Sequence, residues 1–234
     1  MKSYLQKFKN FEPLKVLVAG DSTSSPYWCH PHWVDWLDLI FRGEDDWAGV
    51  QGRLIINSAR DGAKIEYFLE NFAFLISDFD PDVVILSLGI NERFPSFDPI
   101  KTKTDLDSLF RKIAGVGMDL VAWSPHPLLN NKFSNEIKQI RDMYEELCDK
   151  YDAKFVDVHS EFEKYDLTKL FTFKLTFDNV IAKMKPSEID YLHCNTVGHQ
   201  IIADKIAKEA FDLELYDWDG YGTMNLVDLE KYKK

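Results

Sequence analysis

Lys15-Val-Leu-Val-Ala-Gly-Asp-Ser-Thr-Ser24 is the stretch on which the fold turns. After Lys15 its first half is the apolar run Val16–Ala19, rich in β-branched residues, and its second half is small and polar. A strand without polar alternation has no wet face, so it belongs in a parallel sheet covered on both sides. Gly20 then permits a tight turn that lifts the next side chains to the strand's end.

Four runs of the same character follow: Leu54–Asn57, Val83–Leu88, Leu120–Trp123 and Lys154–Asp157. Between and after them the apolar spacing predicts helices over Trp33–Phe41, Ala63–Ser77, Thr104–Gly115, Asn135–Tyr151 and Val197–Leu213. In the last, Ile201, Ile202, Ile206 and Ala210 fall on one stripe. Strand–helix alternation of this kind predicts an open α/β sheet. Ser160–Ile189 and the stretch from Tyr216 onward break the pattern. Residues 1–215 therefore read as one α/β domain, and 216–234 as a C-terminal tail available to dock on it.

Composition narrows the function. The 234 residues are 45% hydrophobic and 29% charged, enough to build a core and too apolar for a disordered chain. Lys and Arg total 28 against 39 Asp and Glu, a net charge of −11, which repels a phosphate backbone and argues against nucleic acid as partner. No apolar run approaches the roughly 20 residues of a transmembrane helix, and the lysine-broken start lacks a signal-peptide core. Cys29, Cys148 and Cys194 are odd in number and form no Cys-x-x-Cys pair. Free thiols and a cytoplasmic location are the expectation. Nothing in the sequence bears on oligomeric state.

In open α/β sheets ligands bind beyond the carboxyl ends of the strands, so the loops there carry the candidates. Ser22, at the end of the first run, has the position of an exposed nucleophile whose own N–H faces an oxyanion. Gly20-Asp21-Ser22 alone also reads as a capped turn. An aspartyl-phosphate role for Asp21 lacks the second acid two residues on, where Thr23 stands. Asp190-Tyr-Leu-His193 offers a base and its orienter at a spacing of three residues. The aspartate can accept from imidazole Nδ1–H and leave Nε2 to take the serine proton; alone, the pair also reads as a surface cap. Asn91 adds a neutral amide donor, and Asn57-Ser-Ala59 adds a backbone N–H.

Taken in order, Gly20-Asp21-Ser22, Asn57-Ser-Ala59, Gly89-Ile-Asn91-Glu92 and Asp190-Tyr-Leu-His193 resemble the blocks of the SGNH hydrolases, the GDSL-type esterases and lipases. The resemblance implies a flavodoxin-like three-layer α/β/α sandwich with a five-stranded parallel sheet. It implies Ser22 as nucleophile, His193 as base and Asp190 as orienter. It also implies an oxyanion hole of the Ser22 and Ala59 N–H groups and the Asn91 amide, and no metal or organic cofactor. Ala59 stands where the family pattern has glycine, and Glu92 where it commonly has aspartate. Glu92 is expected to face substrate or to pair with Arg93 or Arg60.

The remaining substrate-binding candidates are Asp21, Trp28, Glu92 and His126, each on a loop that follows a strand. Cys29, His30 and His32 lie too close along the chain to build a tetrahedral metal site without a distant fourth ligand. Six tryptophans, three of them within Trp28–Trp36, favour stacking on sugar rings. Asp217-Trp-Asp-Gly220 resembles part of an acidic Ca²⁺ loop but lacks its spacing. Tyr165–Ile181 reads as a lid or a packed connection. The leading expectation is a serine esterase for short acyl esters, acetyl above all, with O-acetylated carbohydrate as substrate. An O-acyltransferase using the same acyl-enzyme, and a catalytically silent glycan-binding domain, are the alternatives.

Overall fold

The computed structural model describes residues 3–49, 52–179, 182–217 and 220–234, apart from the side chains at 46–48. Five strands form one parallel sheet: β1 (Leu14–Gly20), β2 (Arg53–Asn57), β3 (Val83–Ser87), β4 (Asp119–Trp123) and β5 (Lys154–Val156), in the order β2-β1-β3-β4-β5. Each lies within one residue of its expected bounds at both ends.

Alternate residues of the strands enter two separate cores. Val16, Val18, Ile85, Val121 and Trp123 pack with α1 (Ser3–Lys9), α2 (Trp33–Ala48) and α9 (Thr196–Phe211). Leu17, Ala19, Val84, Leu86 and Ala122 pack with α3 (Ile65–Glu70), α4 (Phe72–Leu75), α5 (Pro99–Gly115) and α6 (Ser134–Tyr151). Both faces of the central strands β1, β3 and β4 are therefore dry, which is why they carry no polar alternation, while the edge strand β2 leaves Leu54 exposed. The architecture is the expected three-layer α/β/α sandwich.

Helix bounds depart where local chemistry intervenes. The helix expected from Thr104 starts at Pro99, because the Asp98 carboxylate accepts from the Ile100 and Lys101 N–H groups and proline fits the first turn. The helix expected over 63–77 is broken at Asn71 into α3 and α4. Three short helices were not foreseen: α1, α7 (Val158–Phe162) and α8 (Leu167–Leu170).

Within 165–181, Leu170 and Phe171 are fully buried, Leu175 nearly so, and Phe177 is exposed; Ile181 lies outside the described residues. From Tyr216 on, Trp218 and Asp219 also lie outside them. Met224 is fully buried, and its carbonyl accepts from Trp36 Nε1 at 2.6 Å. Gln200 exchanges two hydrogen bonds with the Val227 backbone at 3.0 and 2.9 Å, and Asp166 N–H donates to the Tyr232 carbonyl. The Val227 bonds account for the burial of Gln200, which lies off the apolar stripe of α9.

The chain steps from β1 to β2 on one side and places β3 on the other. That reversal opens a crevice beyond the carboxyl ends of β1 and β3. Gly20 is required there for clearance: a Cβ would sit 2.6 Å from Ser24 Oγ and 3.1 Å from the Ser87 carbonyl.

Candidate active site

Ser22 leaves the end of β1 in a turn closed by the Ser24 and Ser25 N–H groups on the Asp21 carbonyl. The Asp190–His193 segment approaches from the far end of the chain and folds around its own aspartate. Asp190 Oδ1 accepts from Leu192 N–H and His193 N–H, at 2.7 and 3.2 Å. Its Oδ2 lies 2.6 Å from His193 Nδ1, and His193 Nε2 lies 2.9 Å from Ser22 Oγ. With the proton on Nδ1, the imidazole donates to Asp190 and accepts from the serine hydroxyl. Burial pushes the Asp190 carboxyl up, but the His193 bond and charge and the two N–H groups outweigh it and keep it below its ordinary value. All three side chains are buried.

Trp28 stacks on the His193 ring, centroids 3.9 Å apart and planes 5° from parallel. Phe177 and Tyr27 touch the same indole, with ring centroids at 6.1 and 5.5 Å, and both are exposed. The half-buried tryptophan thus joins the imidazole to an aromatic rim. The sequence placed Trp28 in the crevice and Phe177 in a segment read as a lid or a packed connection, but the contact of Trp28 with His193, 165 positions further along the chain, was missed.

Asn91 holds its amide in place by donating one Nδ2 hydrogen to the Ala63 carbonyl at 3.0 Å, leaving the other. Ala59 departs from expectation. Its N–H donates to Asn57 Oδ1 at 3.0 Å, while Asn57 Nδ2 donates to the Ser24 carbonyl at 2.8 Å. The donor assigned to Ala59 is therefore engaged within its own turn, and Asn57, which precedes it by two residues, is the brace that sequence reasoning overlooked. Three residues on, Gly62 has φ +69° and directly precedes the carbonyl that anchors Asn91. No described residue accepts from its N–H.

Three expected substrate contacts lie elsewhere. Asp21 is buried, and its Oδ1 accepts from Thr23 N–H and Thr23 Oγ at 2.9 and 2.8 Å. Burial raises its carboxyl to about 6, against the Thr23 bonds and the charges of Arg93 and His193. His126 is fully buried, stacked on Phe162 and bonded to the Pro127 carbonyl, and burial holds it neutral down to about 4. Glu92 pairs with neither arginine; its Oε1 accepts from Ile65 N–H at 2.8 Å, at the start of α3. Cys29, His30 and His32 do not converge: they contact the Pro31 carbonyl, Asp35 and the Val34 N–H respectively.

A cleft of about 450 Å³ opens beside Gly62, lined also by Arg60, Lys64, Tyr67 and Glu70.

The profile of the GDSL-like lipase/acylhydrolase family matches residues 18–201, most of the chain and every segment that meets in this crevice. The chain belongs to that family. As a GDSL-like acylhydrolase it is a carboxylic ester hydrolase. Several solved structures share the fold. An acetyl xylan esterase from Geobacillus stearothermophilus superposes with a TM-score of 0.65 at 16% identity, covering 88% of this chain and 95% of its own. The acetyl xylan esterase AlAXEase gives 0.65 at 20% identity, over 82% and 98%. An α/β hydrolase from the metagenome of Lake Arreo, Spain, gives 0.66 at 17% identity, over 85% and 95%. No curated protein matches the chain. Among the described residues of this acylhydrolase, no helix is long and apolar enough to cross a membrane.

Proposed function

We propose that the protein is a serine esterase that removes short acyl groups, acetyl first, from acetylated carbohydrate. The observation that carries this reading is the relay Ser22–His193–Asp190, with its two contacts of 2.9 and 2.6 Å. Ser22 Oγ attacks the ester carbonyl as its proton passes to His193 Nε2. Asp190 holds Nδ1–H and stabilises the imidazolium that forms. The imidazolium then protonates the departing alcohol, and water repeats the sequence on the acyl-enzyme.

The oxyanion is held by the Ser22 N–H, the free Asn91 amide hydrogen and the Gly62 N–H, which takes the part assigned by sequence to Ala59. What supports Gly62 is the engagement of the Ala59 N–H and the bond joining Asn91 to Ala63. The Tyr27–Trp28–Phe177 rim beside the relay suits a sugar ring on the alcohol side, whose C–H face stacks on an aromatic ring while its hydroxyls stay in water. The acetyl xylan esterases among the structural neighbours support the same substrate class.

The test is hydrolysis of p-nitrophenyl acetate, butyrate and octanoate by wild type and Ser22→Ala, followed by acetate release from acetylated xylo-oligosaccharides. Serine-dependent turnover that falls with chain length supports the reading. Turnover that rises with chain length moves the substrate class to lipids, and turnover independent of Ser22 rejects the mechanism.

A further inference from the structure

Arg93 is the buried charged group for which the relay has no use. The side chain is 2% exposed, yet Nε, Nη1 and Nη2 all lack a hydrogen-bond partner among the described residues. Its guanidinium carbon lies 4.4 Å from the Phe94 ring centroid and 5.3 Å from that of Phe133. Aromatic contact covers guanidinium surface but accepts none of its five N–H hydrogens. Of the polar groups around it, Asp21 Oδ1 is bonded to Thr23, Glu92 Oε1 to Ile65 and the Tyr191 hydroxyl to the Ala182 carbonyl, while Glu92 Oε2 is buried without a hydrogen-bond partner of its own. Asp21, Glu92, Glu136 and Tyr191 still act on the guanidinium through space. They supply charge without meeting the directional demand of its hydrogens, and burying such donors unbonded is costly.

Its place in the fold ties this group to the reaction centre. Phe94 N–H bonds to the Asn91 carbonyl, so Arg93 rides on the same turn as the oxyanion donor. Its charge acts on Asp21, which precedes Ser22, and on Tyr191, which follows Asp190. The Phe133 ring beside the guanidinium packs in turn against the Tyr191 ring, centroids 6.4 Å apart, which links Arg93 to the segment that carries Asp190 and His193. A planar fork of N–H donors matches the two oxygens of a carboxylate.

We infer that Arg93 is an anion-recognition residue that selects esters carrying a carboxylate close to the scissile bond. The inference rests on the esterase reading above and refines its substrate class. The carboxylate has two possible sources: the far end of a dicarboxylic acyl group, or a uronic acid on the alcohol side.

The test compares kcat/KM for ester pairs that differ in a carboxylate, using wild type, Arg93→Lys and Arg93→Met. p-Nitrophenyl acetate against mono-p-nitrophenyl succinate probes the acyl side. Methyl O-acetylxyloside against methyl O-acetylglucuronoside probes the alcohol side. The expected result is that wild type favours the carboxylate member of one pair. That preference falls about tenfold to a hundredfold in Arg93→Met, with lysine retaining part of it. No preference in either pair, or one that survives Arg93→Met, overturns the inference and leaves a water-satisfied structural arginine. If Arg93→Met does not fold, the wild-type preference and the response of Arg93→Lys decide alone. A readout without turnover separates this from the esterase reading: calorimetry of succinate, glucuronate and methyl xyloside with Ser22→Ala and with the Ser22→Ala, Arg93→Lys double variant. Binding of a carboxylate that the double variant weakens supports the site even if no ester is cleaved. Equal or absent binding of all three overturns it.

Discussion

The indole of Trp28 lies flat against the imidazole of His193, with 3.9 Å between centroids and 5° between planes. Both histidine nitrogens are already committed within the ring plane, to Ser22 and Asp190, so the tryptophan covers the face that those bonds leave open. Stacking holds the ring against rotation about the two bonds. It also places an electron-rich surface under the imidazolium that forms only as Ser22 attacks.

Trp28→Leu should therefore lower kcat more than it raises KM, by about tenfold, with Trp28→Phe recovering part of the loss. Steady-state kinetics on p-nitrophenyl acetate, a substrate too small to use the sugar-binding rim, reads this directly. A rise in KM at constant kcat would show that the tryptophan serves only as a binding platform.

Asp190→Asn keeps the shape of the relay but favours the wrong imidazole tautomer, so kcat should fall by roughly a thousandfold or more. Asn91→Ala removes an oxyanion donor and should cost about a hundredfold to a thousandfold in kcat. Single-turnover rates with the activated ester separate both effects from product release.

Gly62→Ala and Ala59→Gly distinguish the two candidate backbone donors. Alanine at φ +69° is strained, so Gly62→Ala should disturb the N–H and lower kcat by about tenfold or more. Ala59→Gly should leave kcat within about threefold, because the N–H of that residue is held by Asn57. The reverse ranking would return the donor role to residue 59.

Burial raises the Glu92 carboxyl from its ordinary 4.5 to about 7, with Ile65 N–H opposing and the charge of Asp21 adding to the rise. An acid raised on folding keeps a proton that the unfolded chain has released, so stability falls as pH climbs from about 4.5 to about 7 and stays reduced above. Glu92→Gln keeps the acceptor for Ile65 and cannot ionise. Its stability relative to wild type should grow across that window, reaching about 1–3 kcal/mol near pH 8. Urea unfolding of both proteins at about pH 5 and about pH 8 checks the sign; an equal difference at the two pH values would contradict it.

Met224 anchors the last stretch of the chain, fully buried beside the Trp36 indole that donates to its carbonyl. Met224→Ala should destabilise by about 2–4 kcal/mol without changing the KM for p-nitrophenyl acetate. Denaturant midpoints and steady-state kinetics read the two quantities separately.

The layers and the strand bounds were legible because period and composition are local properties. A strand dry on both faces must be apolar throughout, as Val16–Ala19 and Val83–Leu86 are. Helix ends were less legible where one side chain sets them, as Asp98 does for α5, or where the backbone leaves helical geometry, as it does at Asn71 between α3 and α4. The short helices α7 and α8 are too brief for any period to show.

Residue type left Ser22, Asn91, Asp190 and His193 open to readings as turns and caps; the order of their blocks, which resembles the SGNH hydrolases, pointed to them as nucleophile, amide donor, orienter and base. Their distances, and whatever distinguishes a contact from a coincidence, came from the tertiary structure. Sequence could not show that His126 is sealed in the core, that Glu92 turns to cap α3, or that the Ala59 N–H is taken by Asn57. Nor could it place Trp28 against His193 or bury Arg93 without an acceptor. Each of these is decided by which distant segment arrives alongside. That depends on packing across the whole sheet, and no local pattern records it.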